Sequence, residues 1–278
     1  MPPERSQCQN LKVSSKRLLK HGILIVRTHR TFDNKSLTRD TSVNLYNNNL
    51  SKLVPWADRK EPDTSVCHQG AHENVLSDIH DWAKDFSKPP IYWLPTEQYG
   101  TDKSTISRTV VDMLRDKLPI LPFYCSRAEE DTPKSIFPAL GVKFARRHSQ
   151  QAVEQLSKRI ASMLDCNLDA QMKGLIIEPL QDFGAPGSGP GVVFIIDALG
   201  ECKEDPVSSI LTALSMKKSE MGRLSLKFFI TSGSITQVTR RLIRSATVGS
   251  GFITGFDLDH QRRIDDWNLH LVEARSKR

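Results

Sequence analysis

No stretch of this 278-residue chain stays apolar for the roughly 18 residues that crossing a bilayer requires. The most apolar run, Gly191 to Ile196, has only the length of a strand. The N-terminus lacks the apolar core and small-residue cleavage site of a secretory signal. The cysteines, Cys8, Cys67, Cys125, Cys166 and Cys202, are scattered, odd in number and form no C-x-x-C pair. That pattern argues against a disulfide scaffold or a zinc ribbon and fits reduced thiols in a cytoplasmic protein. No internal repeat is evident, so a solenoid or propeller finds no support.

What is present suits a globular α/β protein. Apolar residues make up 38% of the chain and charged residues 26%. The net charge of +7 suggests nucleic acid at first, but its location argues otherwise. Residues 1–60 hold 12 Lys+Arg against 4 Asp+Glu, and the remainder 27 against 28. The basic excess therefore sits in an N-terminal arm, with no interleaved aromatics to stack on bases. Residues 1–65, with Asn47-Asn48-Asn49 and many Ser, Thr and Arg, read as a basic, poorly ordered arm.

Periodicity organises the rest. Val75, Ile79, Trp82 and Phe86 mark one helix face, and Pro89-Pro90 stops it. Ile91 to Leu94 predicts a buried strand. Ile106, Val110 and Leu114 mark a second helix, and Ile120 to Tyr124 a second strand. Helical patterns follow over 135–180. Strands are expected at Val192–Ile196 and Leu226–Thr231 and a short one at Phe252-Ile253, with a helix at Val207 to Leu214 between the first two. Strands alternating with helices imply a three-layer αβα sandwich with a mostly parallel sheet, and ligands bind beyond the C-terminal strand ends of such sheets.

Three segments fall at those ends. The first, Glu97 to Thr105, follows a strand and opens a helix, the context of a phosphate-binding loop. Gly100, Thr101, Lys103, Ser104 and Thr105 are its candidate nucleotide contacts, with the Ser104 hydroxyl placed to ligate Mg²⁺. The pattern G-x-x-x-x-G-K-[ST] has Glu97 and Asp102 where glycines belong. A carboxylate about 4 Å from a phosphate costs about 4 kcal/mol at an effective dielectric near 20. The second segment, Val192 to Cys202, ends a buried strand on Asp197, a candidate Mg²⁺ ligand, and Glu201 could orient an attacking water. The third, Lys227 to Gly233, offers Thr231 or Ser232 as a γ-phosphate sensor, and Ser232 is carried forward as a cofactor contact. The glycine-rich stretch 184–191 precedes a strand instead of a helix, so it reads as a connector.

In order and context these segments resemble the NACHT-type P-loop NTPase module of fungal STAND proteins, also described as the nephrocystin-3-like N-terminal domain. Val75 to Trp82, Pro90 to Leu94, Gly100 to Ile106, Phe123 to Arg127, Val192 to Cys202 and Phe228 to Ser232 carry the resemblance. It implies ATP or GTP with Mg²⁺ as cofactors and a signalling switch. It also implies self-association or association with related STAND proteins. Asp102, Gly200 and Gly233 depart from the family pattern, which expects a glycine, an acid and an arginine there. Those departures imply weak or absent hydrolysis, or a pseudo-NTPase acting as a protein-interaction module. The expected organisation is an arm over 1–65, the NTPase-like domain over 66–258 and a tail over 259–278, with no membrane segment.

Overall fold

The computed structural model describes residues 37–59, 61, 65–96, 102–128, 131–187, 191–203, 206–233, 252–258 and 262–263. Five strands form one parallel sheet: β1 (Ile91–Pro95), β2 (Ile120–Tyr124), β3 (Val192–Asp197), β4 (Leu226–Ser232) and β5 (Ile253–Asp257). Their spatial order is β2-β3-β4-β1-β5, and the two-residue β6 (Arg262–Arg263) adds antiparallel to β5. The αβα architecture expected from the sequence is the one observed. Residues 259–278, expected to be a tail, contribute at least that short strand.

Alternation along the strands divides the core. Tyr92 and Leu94, Val193 and Ile195, and Phe229 face α2 (Glu73–Lys84) and α3 (Lys103–Leu114). Ile91 and Trp93, Val192, Phe194 and Ile196, and Phe228 and Ile230 face the opposite layer. That layer holds α1 (Leu37–Leu53), α4 (Pro133–His148), α5 (Gln150–Met163), α6 (Leu168–Met172), α7 (Glu178–Phe183), α8 (Pro206–Ser215) and α9 (Lys218–Arg223). A sheet buried on both faces explains why these strands read as continuous apolar runs.

The sequence expectation of a poorly ordered arm through residue 65 differs from the structure over 37–58. There α1 and a 3-10 turn, Pro55–Asp58, pack Leu50, Val54 and Ala57 into the core. Arg146 of α4 fastens this segment: it donates to Asn47 Oδ1 at 3.3 Å and Ser51 Oγ at 2.9 Å and pairs with Asp58. Beyond it, Arg59 reaches Asp131 at 2.5 Å, while Glu61 pairs with Arg108 of α3 and with Arg115 just past its end. Asp58, Arg59 and Glu61 thus lead from the α4 layer to the α3 layer around the β2 edge. Along that edge, Lys143 Nζ donates to the Pro122 carbonyl at 2.5 Å and Arg147 to the Ile120 carbonyl at 3.4 Å. Residues 1–36 lie outside the described residues.

The connector before β3 ends on Gly191 for a steric reason. A Cβ there would stand 2.2 Å from the Ser225 carbonyl oxygen and 2.5 Å from the Phe86 ring.

Candidate functional site

The C-terminal ends of β1, β3 and β4 lie side by side, because Pro95 pairs in register with Ser232 and Ile196 with Ile230. α3 begins at Lys103, shortly after β1. This places Ser104 in the first helical turn, above the end of β3. Its hydroxyl donates to Asp197 Oδ2 at 2.8 Å. The other carboxylate oxygen, Oδ1, accepts from Thr231 Oγ1 at 2.6 Å, and Thr231 Oγ1 accepts from the Ala198 backbone N–H at 2.8 Å. Asp197 is only 2% exposed. Burial raises its carboxyl above the ordinary value, against the lowering effect of the Thr231 and Ser104 hydrogen bonds. Ala198 adopts φ 55°, a left-handed conformation that turns the chain sharply after the strand.

Strand alternation separates Thr231 from Ser232. Thr231 lies on the α3 side with Asp197, whereas the buried Ser232 accepts from Trp93 Nε1 at 3.0 Å. Trp93 belongs to the opposite core layer. Of the two residues weighed from the sequence, the structure therefore puts Thr231, not Ser232, on the carboxylate.

Asp102 precedes α3, and its side chain is 60% exposed. It does not stand unpaired: His72 Nε2 lies 2.8 Å from Asp102 Oδ2. Lys103 and Thr105 occupy the first turn of α3 with Ser104. Gly100 and Thr101 lie outside the described residues. Glu201 sits in a 3-10 turn after β3 and is held by Arg127 at 2.7 Å. Gly200 and Gly233 adjoin one another, since a Cβ on Gly200 would lie 3.1 Å from the Gly233 nitrogen.

Two further groups near this sheet escaped the sequence reading. Tyr124 is in register with Asp197, and its buried hydroxyl has no hydrogen-bond partner among the described residues. Burial, with the Asp197 charge adding to it, pushes that phenol up to about 12, so it stays a donor. Lys227, at the other end of β4, is 1% exposed. Its ammonium donates to the Trp82 carbonyl and to the Asp85 carbonyl at 2.6 Å, over the rings of Trp82 and Phe86 at 4.7 and 5.1 Å. A lysine in an apolar run was the available signal: such a residue is rarely buried without partners.

The family model described as Nephrocystin 3, N-terminal, matches residues 72–233. Among solved structures, the chain is similar to the Aeropyrum pernix ORC2 protein in ADPNP–ADP complexes, at 10% identity and a TM-score of 0.45. That likeness covers 70% of this chain and 49% of the other. It is also similar to Cdc6p from Pyrobaculum aerophilum, at 12% identity and a TM-score of 0.40, covering 74% and 48%. Drosophila ORC bound to DNA is similar at 13% identity and a TM-score of 0.37, covering 84% and 51%. The chain spans about half the length of these solved structures. No curated protein matches it.

Proposed function

The chain belongs to the nephrocystin 3, N-terminal family, and from that premise we propose that it is a nucleotide-binding module of the P-loop NTPase type, centred on Ser104 and Asp197. The hydrogen bond between these two residues carries the reading. It joins the start of α3 to the end of β3 across 93 residues of sequence. Neighbouring oxygen ligands of an octahedral Mg²⁺, at ~2.0–2.1 Å from the ion, stand about 2.9 Å apart. Ser104 Oγ and Asp197 Oδ2 already stand 2.8 Å apart, so these residues fit Mg²⁺, held directly or through water. Bound Mg²⁺ would neutralise charge on the β- and γ-phosphates.

The protein's own residues do the rest. Lys103 and the N-terminal turn of α3 offer positive charge and backbone N–H groups to phosphate oxygens. Thr231 orients Asp197 by donating to its second oxygen, and the Ala198 N–H holds Thr231 in place. Thr231 is also the nearest hydroxyl on β4 to serve as sensor. Arg127 holds one oxygen of Glu201 at 2.7 Å and draws on the charge that would orient a water, which supports weak or absent hydrolysis. The finer reading is a cytoplasmic NACHT-type STAND switch that takes ATP or GTP and associates with itself or with related STAND proteins. No helix among the described residues is long and apolar enough to cross a membrane.

A second reading, a pseudo-NTPase that acts only through protein contacts, is favoured by the Arg127–Glu201 pair and by the carboxylate of Asp102 at the mouth of α3. Isothermal titration with Mg-ATP and Mg-GTP separates the two. Micromolar binding that requires Mg²⁺ and disappears in a folded Lys103→Ala variant is the expected result. No heat from a folded wild-type sample would overturn nucleotide binding and leave the second reading standing.

A further inference from the structure

Asp102 is the N-cap of α3, yet its side chain makes no cap bond to that helix. An aspartate in this position ordinarily accepts from a backbone N–H two or three residues on. Here the Asp102 Oδ2 is held by His72 Nε2 at 2.8 Å. A carboxylate only accepts, so Nε2 carries the hydrogen.

His72 is set in place by contacts on both sides of it. The chain before it lies against α3: Glu61 pairs with Arg108, and the Cys67 N–H donates to Thr109 Oγ1 at 2.8 Å. A turn follows, with Gly70 at φ 87° and the Ala71 N–H donating to the His68 carbonyl at 3.0 Å. His72 then opens α2, its carbonyl accepting from the Leu76 N–H at 2.9 Å. Its own backbone is left-handed, at φ 56° and ψ 26°. That conformation strains any residue with a Cβ, and glycine adopts it freely. The imidazole does not offset the strain within its own helix, because it makes no cap bond to α2. It reaches across to the start of α3.

We propose that His72 is a positioning residue of the phosphate site: it holds the Asp102 carboxylate away from the α3 N-terminus, where that carboxylate would compete with phosphate for the same N–H groups. This rests on the nucleotide-binding reading above. A helix N-terminus presents unsatisfied N–H groups and the positive end of the helix dipole, which a carboxylate and a phosphate both seek. Asp102 is attached to the helix, so its effective concentration there is high and it acts as an internal rival of the ligand. Rotation of its side chain is enough to carry it from His72 to the cap position. With His72 in place the carboxylate is drawn toward α2 and stays 60% exposed, where water screens its charge. The first turn of α3, with Lys103 and Ser104, is then left uncapped by it.

Stability and binding are opposed at this position, and that separates a positioning role from a merely structural one. His72→Gly relieves the left-handed backbone and frees Asp102 to cap α3, and both changes favour the folded state.

The test is isothermal titration of the full-length protein with Mg-ATP, together with thermal melts. His72→Gly should melt no lower than the wild type and bind Mg-ATP about tenfold more weakly. In an Asp102→Ala background, which has no carboxylate to hold, the same substitution should change affinity by less than about twofold. An equal loss in both backgrounds would overturn the proposal, because the imidazole would then act without Asp102. So would unchanged affinity in folded His72→Gly, or a loss of affinity that comes with a lower melting temperature. Should His72→Gly not fold, His72→Asn takes its place, since asparagine tolerates the same backbone and its side chain is shorter than histidine's. No heat from folded wild-type protein would remove the nucleotide reading and this one with it. Wild-type binding without the loss in the variant would remove this one alone.

Discussion

On one face of the sheet, neighbouring strands bury two opposite charges at opposite ends, and they satisfy them by different means. The Lys227 ammonium meets backbone carbonyls and aromatic faces, groups that cannot leave without unfolding the end of α2. The Asp197 carboxylate meets hydroxyls on side chains, and Ser104 can rotate away within its own turn. A buried charge with fixed partners is a structural fastening. A buried charge with replaceable partners is prepared to exchange them for a ligand.

The largest effect should come from the fixed site. Lys227→Met keeps the length of the side chain but takes the ammonium donor from the Trp82 carbonyl and one of two donors from the Asp85 carbonyl, which keeps the Lys88 N–H at 3.0 Å, and should destabilise by about 3 kcal/mol in chemical denaturation. Nucleotide affinity of the folded variant should be unchanged, and a large change would break the division between the two ends. Thr231→Val is next. It removes a donor from Asp197 and leaves the part-buried Ala198 N–H without its acceptor, for about 2 kcal/mol of stability, and unlike Lys227→Met it should also weaken Mg-nucleotide binding.

Taken per pH unit, the smallest effect is in pH. Burial lowers Lys227 from 10.5 to about 8. Between those values the unfolded chain binds more protons than the folded one, so Lys227 alone should raise stability with pH by at most about 1 kcal/mol per unit. The gain should end above the unfolded value. Lys143, also lowered by burial to about 8, acts in the same direction. Denaturant midpoints measured from about pH 8 to 10 should rise in the wild type and rise less in Lys227→Met.

The parts legible in the sequence were those with local signals. Val75, Ile79 and Trp82 announced α2 by spacing, and Ile120 to Tyr124 announced β2 by composition. Ser104 and Asp197, which the fold brings to 2.8 Å, each stand at a fixed offset from a strand, and that offset is a local signal. Pairings between distant segments had no such signal. His72 with Asp102, and Arg59 with Asp131, connect residues whose separation only the fold defines. Asp102 illustrates the cost: its charge was legible, but the histidine beside it was not. α1 was missed because its polar Asn47 to Asn49 run resembles a solvated arm. Contacts at Leu50 and to Arg146 hold this helix, more than its own propensity does.

The cations along β2 bear on assembly. An uncovered edge strand invites another chain to add to the sheet through main-chain hydrogen bonds. Here Lys143 and Arg147 occupy the Pro122 and Ile120 carbonyls, and Pro122 has no N–H to offer. An incoming strand would have to evict two side chains and forgo a donor. Copies of this module that gather into a larger body are therefore steered away from sheet extension at β2 and toward packing through their helices and loops.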